Sequence, residues 1–442
     1  MTSPSDTDPE PAPPAGGGME ELEDAYLQGD RPFVAGTARS AFSHRTFRTI
    51  YLGAFASNIG TWMQNVVLGA LAYDLTRSPA FVGIIMAAQL GPLLVFSPLG
   101  GMIADAVDRR RSLTILCLQQ AVFSVLLALV TVPDDPNRGL LVAMVLAVGI
   151  GNALYAPIFS AVVPILVPRE DLPGAISLNS VQMNASRVVG PFIGATIYSE
   201  VGPSWVFVLN AVSFGFVLLA LARVTLPPPE STGDQGLHRL LEGLRVARTD
   251  RVVGQCLGAI ATFSFFCLPF ITQLPTIADR NLGIDTDTIA YGLLYGCFGT
   301  GAVIGALSIG TVFAGRDKAS LTRVGLLGFA GMILVFGAVR QAWLAYGVIV
   351  VLGAVYFAVI TSLSTVLQQD LDNAVRGKVM ALWIMGFGGV VPFGGLTGGY
   401  VIEHFGITTL IVVSAVVAVG IAWWADLRPD RPAGPLGLAA AG

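Results

Sequence analysis

Uninterrupted apolar stretches recur along this chain and limit it to a narrow set of folds. Many are about 18 residues or longer, enough to cross a hydrocarbon core of roughly 30 Å as an α-helix. The stretches are continuously apolar, whereas strands of a membrane barrel alternate apolar and polar residues, so helices are favoured. Only 12% of the 442 residues are charged, against about 25% in soluble domains. The sequence therefore predicts an all-α integral membrane protein.

Charged residues and Pro/Gly breaks divide the apolar sequence into twelve candidate spans. These lie near 48–73, 80–103, 112–131, 139–162, 173–200, 203–225, 252–278, 288–314, 320–339, 342–366, 377–402 and 407–426. The longest break between spans, Pro227 to Arg251, separates six spans from six. Its segment "LHRLLEGLRVA" has helical spacing and predicts a short interfacial helix.

This division predicts five segments. They are a disordered, acidic and Pro/Gly-rich cytoplasmic tail (1–44), a first six-helix bundle (45–226), a cytoplasmic linker (227–251), a second six-helix bundle (252–427) and a cytoplasmic C-terminal tail (428–442). An internal repeat supports two related halves, because "GPFIGATIYSEVGPSWVFVLNAV" from Gly190 resembles "GGLTGGYVIEHFGITTLIVVSAV" from Gly394.

The distribution of basic residues predicts the orientation. With the N-terminus in the cytoplasm, twenty of the 25 Lys and Arg residues fall on the cytoplasmic side. Four fall outside, namely Arg77, Arg138, Arg280 and Arg340, and Arg187 lies within a span. Because cytoplasmic loops carry an excess of Lys and Arg, the sequence predicts a multi-pass protein of the cytoplasmic (inner) membrane with both termini inside.

Arg187 lies inside the fifth span, in "NASRVVGPFIG". An arginine at the bilayer centre costs roughly 2.5–3.5 kcal/mol on insertion scales, so it is expected to face protein or water. No Asp, Glu or His lies near the middle of a predicted span. Three interpretations stay open. Arg187 meets an anionic or phenolic substrate group in an aqueous cavity, it clamps helix carbonyls and neutral polar groups, or it reaches an acid at the end of a span, such as Asp74, Glu200 or Asp105.

Other polar or aromatic side chains within the spans are candidates to bind substrate together with Arg187. On the first span, Asn58, Thr61 and Asn65 share one helical face. The remaining candidates are Gln89, Asn152, Gln182, Gln273, Tyr295 and Trp383. Each could equally make a hydrogen bond between helices or pack in the interior. As a set, they predict a polar patch concentrated in the first half.

The loop after the second span, "GGMIADAVDRRR", fits the pattern Gly-x-x-x-Asp-x-x-(Gly/Asp)-Arg-(Arg/Lys)-(Arg/Lys). This loop resembles the signature of the major facilitator superfamily. Within that superfamily, "NIGTWMQNVVLGALAYDLTRSP" and "SRVVGPFIG" resemble the branch of enterobactin exporters and macrolide-type drug efflux proteins. The resemblance implies the major facilitator fold, with 12 transmembrane helices in two six-helix bundles, internal inverted repeats and a central cavity.

The resemblance also implies a conformational latch on the cytoplasmic side. Its residues would be Gly101, Asp105 and Arg109. Asp105 would face the start of the eleventh span near 377–379, where a helix N-terminus favours an anion, and Arg109 would pair with Glu170 or Asp372. Ala314 stands where the second half would carry the matching aspartate, so the latch is expected on one side only.

By this resemblance the chain is expected to be a secondary active exporter that works by alternating access. An amphipathic drug, natural product or siderophore-like compound is the expected cargo, and proton antiport is the expected coupling. The acids near the outer ends of spans, Asp74, Glu200 and Glu403, are the candidate proton-coupling groups. A lipid or lysophospholipid mover or an importer on the same fold remains an alternative, as does a transport-inactive scaffold or regulator.

Enzyme activity, a cofactor and a metal site are not expected, because no span holds a paired acid and base and no cluster has metal-ligand spacing. The four cysteines lie in apolar spans and are expected to pack in the interior rather than form disulfides. They are Cys117, Cys256, Cys267 and Cys297. The expected partners are the lipid bilayer, a small-molecule substrate and protons, without nucleic acid, and the chain is expected to function as a monomer.

Overall fold

The computed structural model describes residues 34–96, 99, 107–224, 226, 237–369, 371, 373–425 and 427, and the regular elements in this part of the chain are helices. We number the principal helices α1 to α15. They are α1 Ala38–Ser43, α2 Arg45–Thr76, α3 Pro79–Leu90, α4 Arg109–Val130, α5 Arg138–Val162, α6 Leu172–Val201, α7 Pro203–Arg223, α8 Leu237–Thr249, α9 Arg251–Cys267, α10 Ile289–Gly310, α11 Lys318–Ala338, α12 Ala342–Gln369, α13 Asn373–Ile384, α14 Val391–Phe405 and α15 Ile407–Trp424.

Each of the twelve predicted spans contains a helix, and α8 confirms the predicted helix in the linker. Ten helical segments in the described part of the chain are long and apolar enough to cross a membrane, and some of them, such as Pro79–Phe96 and Val375–Phe405, extend or join the helices numbered above. The other two span candidates, α2 and α6, have 32 and 30 residues but carry the polar side chains noted above. The count of twelve crossings therefore stays a prediction.

The seventh and eleventh predicted spans are not continuous α-helices. After α9, the seventh span breaks into single turns, Pro269–Thr272 and Leu274–Ile277, each with a proline in its first turn. Because proline has no N–H to donate, it interrupts the hydrogen bonds of the preceding turn. The eleventh span is likewise divided between α13 and α14 by a π-helical turn, Met385–Gly389.

The two repeated segments share a local geometry. α6 and α7 are joined by Gly202, with φ of 88° and ψ of 172°. α14 and α15 are joined in the same way by Gly406, with φ of 84° and ψ of 165°. Only glycine reaches such positive φ values without a steric cost, so the matched glycines of the sequence repeat place two helix pairs with the same tight corner.

Buried apolar side chains form one large cluster in the second half, around Phe263 and Phe329, which extends to Val66 of α2. Two further clusters lie in the first half, one containing Phe214 and the other Tyr73. Below, "first half" means described residues up to 226 and "second half" those from 237. The three buried cysteines, Cys117, Cys256 and Cys267, lie in these clusters and Cys297 is half-buried, and all four are free thiols.

Residues 34–44 differ from the predicted disordered tail. α1 packs here with Ala41 fully buried. The Gly36 amide donates to Oδ1 of Asp171 at 2.8 Å, and Nε2 of His44 lies 2.6 Å from Oδ2 of the same carboxylate. The composition of the tail does not predict these hydrogen bonds, because the accepting carboxylate of Asp171 lies more than a hundred residues away in the sequence. The rest of the predicted tail, 1–33, lies outside the described residues.

Loss of the Asp171 charge is expected to release this segment. The hydrogen bonds from His44 and Gly36 lower the pKa of Asp171. The packing of residues 34–44 against Asp171 is therefore fully stabilised above the ordinary carboxyl pKa of about 4, and it weakens as the pH falls through the lowered pKa. Asp171→Asn should raise amide hydrogen exchange of residues 38–43 by about 10- to 100-fold at neutral pH, because hydrogen bonds to charged groups contribute ~1.5–3 kcal/mol. Asp135→Asn, in an exposed loop, is the control. Equal exchange in both variants would contradict this role.

Candidate functional site

The helix that carries Arg187 lies close against α2. A Cβ added at Gly190 of α6 would lie 2.9 Å from the carbonyl oxygen of Ile59, and one at Gly194 would lie 2.9 Å from Cα of Met63. Both glycines therefore permit a backbone approach that a larger residue would prevent. This approach brings Arg187 beside the indole of Trp62.

The Arg187 guanidinium contacts the faces of two aromatic rings. Its Cζ lies 5.1 Å from the ring centroid of Trp62 on α2 and 4.8 Å from that of Phe357 on α12. Each such contact contributes ~0.5–2 kcal/mol, depending on desolvation. The stabilisation from the two ring contacts together is comparable to the ~2.5–3.5 kcal/mol cost of inserting an arginine into a membrane. One ring comes from each half, so the contact spans the interface between them.

Polar groups at this position are left without partners. Nε of Arg187 is buried and has no hydrogen-bond partner among the described residues, and the same holds for the Tyr356 hydroxyl. The phenols of Tyr356 and Tyr295 are close enough to interact electrostatically with the guanidinium. An unmade hydrogen bond at a buried group costs ~1–3 kcal/mol. The two rings therefore stabilise the charge of Arg187, whereas its Nε and the Tyr356 hydroxyl have no hydrogen-bond partner among the described residues.

This geometry separates the three interpretations of Arg187. The described contacts of its guanidinium are with ring faces rather than helix carbonyls. Asp74, a predicted acid partner, instead accepts hydrogen bonds from Tyr198, at 2.7 Å, and from Thr286. Glu200 is exposed at the end of α6, and Asp105 lies outside the described residues. Among its described contacts, Arg187 therefore pairs with neither a helix carbonyl nor one of these acids.

The predicted polar patch of the first half forms a separate cluster. Thr61, Asn65, Gln89 and Asn152 line one small cavity between α2, α3 and α5, about large enough for a single water molecule. Nε2 of Gln89 donates to Oδ1 of Asn65. These side chains thus lie together inside the first half, whereas Arg187 contacts a ring of the second half, and their predicted role in binding substrate stays a prediction.

Three residues of this cluster were missed in the sequence. Nδ2 of Asn210 donates to Oε1 of Gln64 at 2.8 Å, and the hydroxyl of Ser124 donates to the same oxygen at 3.2 Å. Gln64 is next to a predicted residue, but Ser124 and Asn210 are isolated polar residues within apolar spans. Their positions in the middle of apolar spans are the sequence signal that could have identified them as members of this cluster.

Other candidates lie away from Arg187 or make weaker contacts. Asn58 is half-buried, with its amide 3.7 Å from Sδ of Met183. Gln182 is buried and its Nε2 has no partner among the described residues. Trp383 belongs to the apolar cluster of the second half and is 6% exposed, so it packs against that interior rather than lining a cavity.

Gln273 is not placed to bind substrate. It is fully buried, and its Nε2 donates to the carbonyl oxygens of Pro79, at 3.0 Å, and Gly395, at 3.2 Å. Its Oε1 accepts from Thr276. The polarity of Gln273 is thus used to join the halves, because it satisfies backbone carbonyls at the start of α3 and on α14.

A polar network joins the halves at the end of the molecule where α2 ends and α3 begins. Asp279 accepts from the Tyr73 hydroxyl at 2.7 Å and from Nη1 of Arg77 at 3.2 Å. Arg280 donates to the carbonyl oxygen of Arg77 at 2.9 Å. Asp74 and Thr286, described above, extend this network. We call it the polar seal.

Glu403 extends the polar seal to α14. Its Oε2 accepts from the Ser78 hydroxyl at 2.7 Å and from the Ala80 amide at 3.1 Å. Two of the three predicted proton-coupling acids, Asp74 and Glu403, are therefore placed at contacts between the halves. The sequence did not indicate that Tyr73, Asp279 and Arg280 would join them.

Closely packed glycines lie beneath the polar seal. A Cβ at Gly83 of α3 would lie 2.8 Å from Cα of Leu396, and one at Gly399 of α14 would overlap the carbonyl oxygen of Pro79. On α10, a Cβ at Gly292 would overlap Cβ of Ala195. These two helix contacts between the halves, α3 with α14 and α6 with α10, therefore depend on small residues.

At the opposite end, two ionic contacts each lie within one half. Lys378 pairs with Glu242 in the second half, and His44 contacts Asp171 in the first. Arg109 begins α4, and Oδ1 of Asp108 accepts from the Arg111 amide at 2.8 Å as a helix cap. The other predicted latch residues, Gly101 and Asp105, lie outside the described residues, so the latch stays a prediction.

Residues 36–429 match the family of transmembrane secretion effectors. The enterobactin exporter EntS of Shigella boydii serotype 4 (strain Sb227) is 26% identical over 346 residues, which cover 77% of this chain and 81% of that protein. EntS of Escherichia coli O81 (strain ED1a) has the same identity and coverage.

Solved structures of transporters share the fold. A bacterial homologue of the human lysosomal transporter Spinster, in an inward-facing unoccupied conformation, has a TM-score of 0.66 at 15% identity and covers 86% of this chain and 95% of its own. A D-xylose–proton symporter has a TM-score of 0.67 at 16% identity and covers 85% and 96%. These likenesses support the fold alone, whereas the family match spans nearly all the helices. The chain therefore belongs to the transmembrane secretion effector family of the major facilitator superfamily and is a multi-pass membrane transporter, not an enzyme.

Proposed function

We propose that this chain exports an amphipathic small molecule across the cytoplasmic membrane by alternating access. The relatives named above are enterobactin exporters, which supports outward transport and a drug-like, natural-product or siderophore-like cargo. Arg187 carries the proposal, because its charge lies against one ring from each half and its Nε donor has no partner among the described residues. A site between two halves is accessible from alternate sides when the halves rock about it.

The orientation predicted from the basic residues assigns the polar seal to the outer side. The seal joins the loop between α2 and α3 to the segment before α10, and Arg77 and Arg280 belong to the small set of basic residues predicted outside. In this orientation the halves are in contact on the outer side of Arg187. Release of cargo to the outside then requires the seal to open.

Protonation of Asp74 and Glu403 is the proposed link between the proton gradient and that opening. Each carboxylate accepts hydrogen bonds across the interface, from Thr286 and from Ser78 respectively. Hydrogen bonds to a charged acceptor are roughly twice as strong as neutral ones, so proton binding from outside weakens both contacts. Glu200 is exposed and has less structural support for this role.

Transport in inverted membrane vesicles tests the export proposal directly. Enterobactin, the anionic dye 8-anilino-1-naphthalenesulfonate and the cationic dye Hoechst 33342 should be tested as cargo, with and without an imposed pH gradient. Uptake into inverted vesicles that requires the protein and rises with the gradient is expected. Movement of fluorescent lysophospholipid alone would favour a lipid mover, and transport of none of these compounds would favour the scaffold alternative.

Asp74→Asn is expected to uncouple transport from the pH gradient. The amide retains the shape of the side chain but cannot bind the transported proton. Gradient-driven accumulation should fall by about tenfold, the equivalent of ~1.4 kcal/mol, while downhill exchange of cargo continues. Asp135→Asn, in an exposed loop, should match the wild type. Gradient-driven accumulation that survives in Asp74→Asn would remove this residue from the coupling step.

A further inference from the structure

The immediate surroundings of Arg187 determine which chemistry its ligand must have. Among the described residues, the ionisable groups that interact electrostatically with its guanidinium are the phenols of Tyr356 and Tyr295. A phenol with an ordinary pKa of about 10 is neutral at physiological pH. The ring contacts with Trp62 and Phe357 stabilise the cation without neutralising it. Within the described part of the chain, the charge therefore lacks a counter-ion.

Both unsatisfied polar groups here can donate a hydrogen bond. Nε of Arg187 can only donate, and the Tyr356 hydroxyl is free to donate. A ligand that satisfies both must present acceptor atoms, and an anionic acceptor gains most from a desolvated guanidinium. A cationic ligand would be repelled. A neutral ligand would leave the arginine charge uncompensated.

The ring of Phe357 that contacts Arg187 belongs to a group of aromatic side chains. Phe357 lies 5.2 Å from the Tyr356 ring and 6.3 Å from Phe298, and Phe298 lies 5.9 Å from Tyr356, all between centroids. A hydrated inorganic anion would lose its water here without gaining apolar contacts. An anionic group attached to an aromatic or other apolar body would satisfy both the donors and the rings.

We propose that Arg187 and Tyr356 form a site for the anionic group of an apolar organic anion, with Trp62 and Phe357 against its apolar body. Arg187 and Trp62 belong to the first half, and the other two residues belong to the second. The bound anion bridges the halves and is the counter-ion that the described residues do not supply. This assignment of the cargo's charge rests on the transport function proposed above.

Binding of a matched pair of probes tests this site without a transport assay. Purified full-length protein in nanodiscs of zwitterionic phosphatidylcholine is titrated by equilibrium dialysis with 2-naphthoate and with neutral 2-naphthamide, and empty nanodiscs are subtracted. Wild-type protein should bind the anion at least about tenfold more tightly than the amide, the scale expected for a hydrogen bond to a charged group. Excess sulfate should compete weakly.

Variants identify which residues give the preference for the anion. Arg187→Gln should reduce the ratio of the two affinities to about one, and Tyr356→Phe should reduce it by roughly threefold, as for a neutral donor. Arg138→Gln, at an exposed helix start, should keep the wild-type ratio. Size-exclusion and thermal-melting profiles establish that each variant is folded. If Arg187→Gln does not fold, Tyr356→Phe decides.

Three results would overturn the proposal. They are an absence of saturable 2-naphthoate binding, equal affinities for the two probes in the wild type, and an unchanged ratio in the folded variants. If vesicles export a neutral or cationic compound while the anion is not preferred, this proposal fails and the export function stands. Selective anion binding by a chain that transports none of the compounds tested above would overturn the export function and support the site.

Discussion

Replacing Arg187 with alanine is expected to reduce transport by about 10- to 100-fold while the protein still reaches the membrane. The loss corresponds to ~1.5–3 kcal/mol for hydrogen bonds between a charged donor and the cargo. The variant should still fold. The substitution removes the two ring contacts, but it also removes the cost of placing a charge in the membrane, and the two free energies are of similar size. Efflux from whole cells, normalised to the amount of protein in the membrane, measures the effect.

Two further variants separate charge from shape at this position. Arg187→Lys retains the charge but not the planar group that stacks on Trp62 and Phe357, so it should keep part of the activity. Arg138→Ala removes a basic residue from an exposed helix start and should transport as the wild type does. Wild-type efflux by Arg187→Ala would remove Arg187 from the mechanism.

Much of the fold could be predicted from the sequence, since apolar length and basic-residue asymmetry are local properties. Helix ends such as Pro79 and Pro203 fall within a few residues of the predicted spans. The sequence repeat also anticipated the shared corner at Gly202 and Gly406. The breaks after Cys267 and at 385–389 were missed, because hydropathy is blind to how proline and π-helical turns interrupt a helix.

The site was predicted only in part. Arg187 stands out in the sequence because a charge within an apolar span is costly. Its ring partners Trp62 and Phe357 do not stand out, because aromatic residues are ordinary in membrane helices and their pairing depends on how distant helices pack. For the same reason Gln273, which looks like a cavity residue, proved to join the two halves.

The polar seal shows a second limit of sequence reasoning. Asp279 and Tyr73 come from opposite halves and meet through a tertiary contact. Loop charges such as Asp279 are expected to be solvated, so nothing local distinguishes one that accepts bonds across an interface. The sequence does not distinguish the glycines beneath the seal either. Gly83 and Gly331 both lie within helices, but Gly83 packs against another helix and Gly331 does not.

A larger residue at Gly83 is therefore expected to have a strong effect on transport, whereas one at Gly331 is not. Gly83→Val should destabilise the state in which the outer end is closed, because its Cβ would lie 2.8 Å from Cα of Leu396 and 2.9 Å from the carbonyl oxygen of Gly395. Overpacking costs ~1–3 kcal/mol. If the cost applies only while α3 and α14 are in contact, the balance of the two conformations shifts by about 5- to 150-fold. Transport should fall strongly, since the cycle requires both conformations.

Gly331→Val is the matched control, because nothing lies within 4 Å of a Cβ at that glycine. Spin labels at the exposed Val201 and Ile289, one on each half near the polar seal, report the opening by pulsed electron resonance. The distance between them should shift to longer values in Gly83→Val and stay as in the unmodified protein in Gly331→Val. If Gly83→Val instead kept the short distance and full transport, the contact of α3 with α14 would not be the one that separates during the cycle. The polar seal above it would then open by another route.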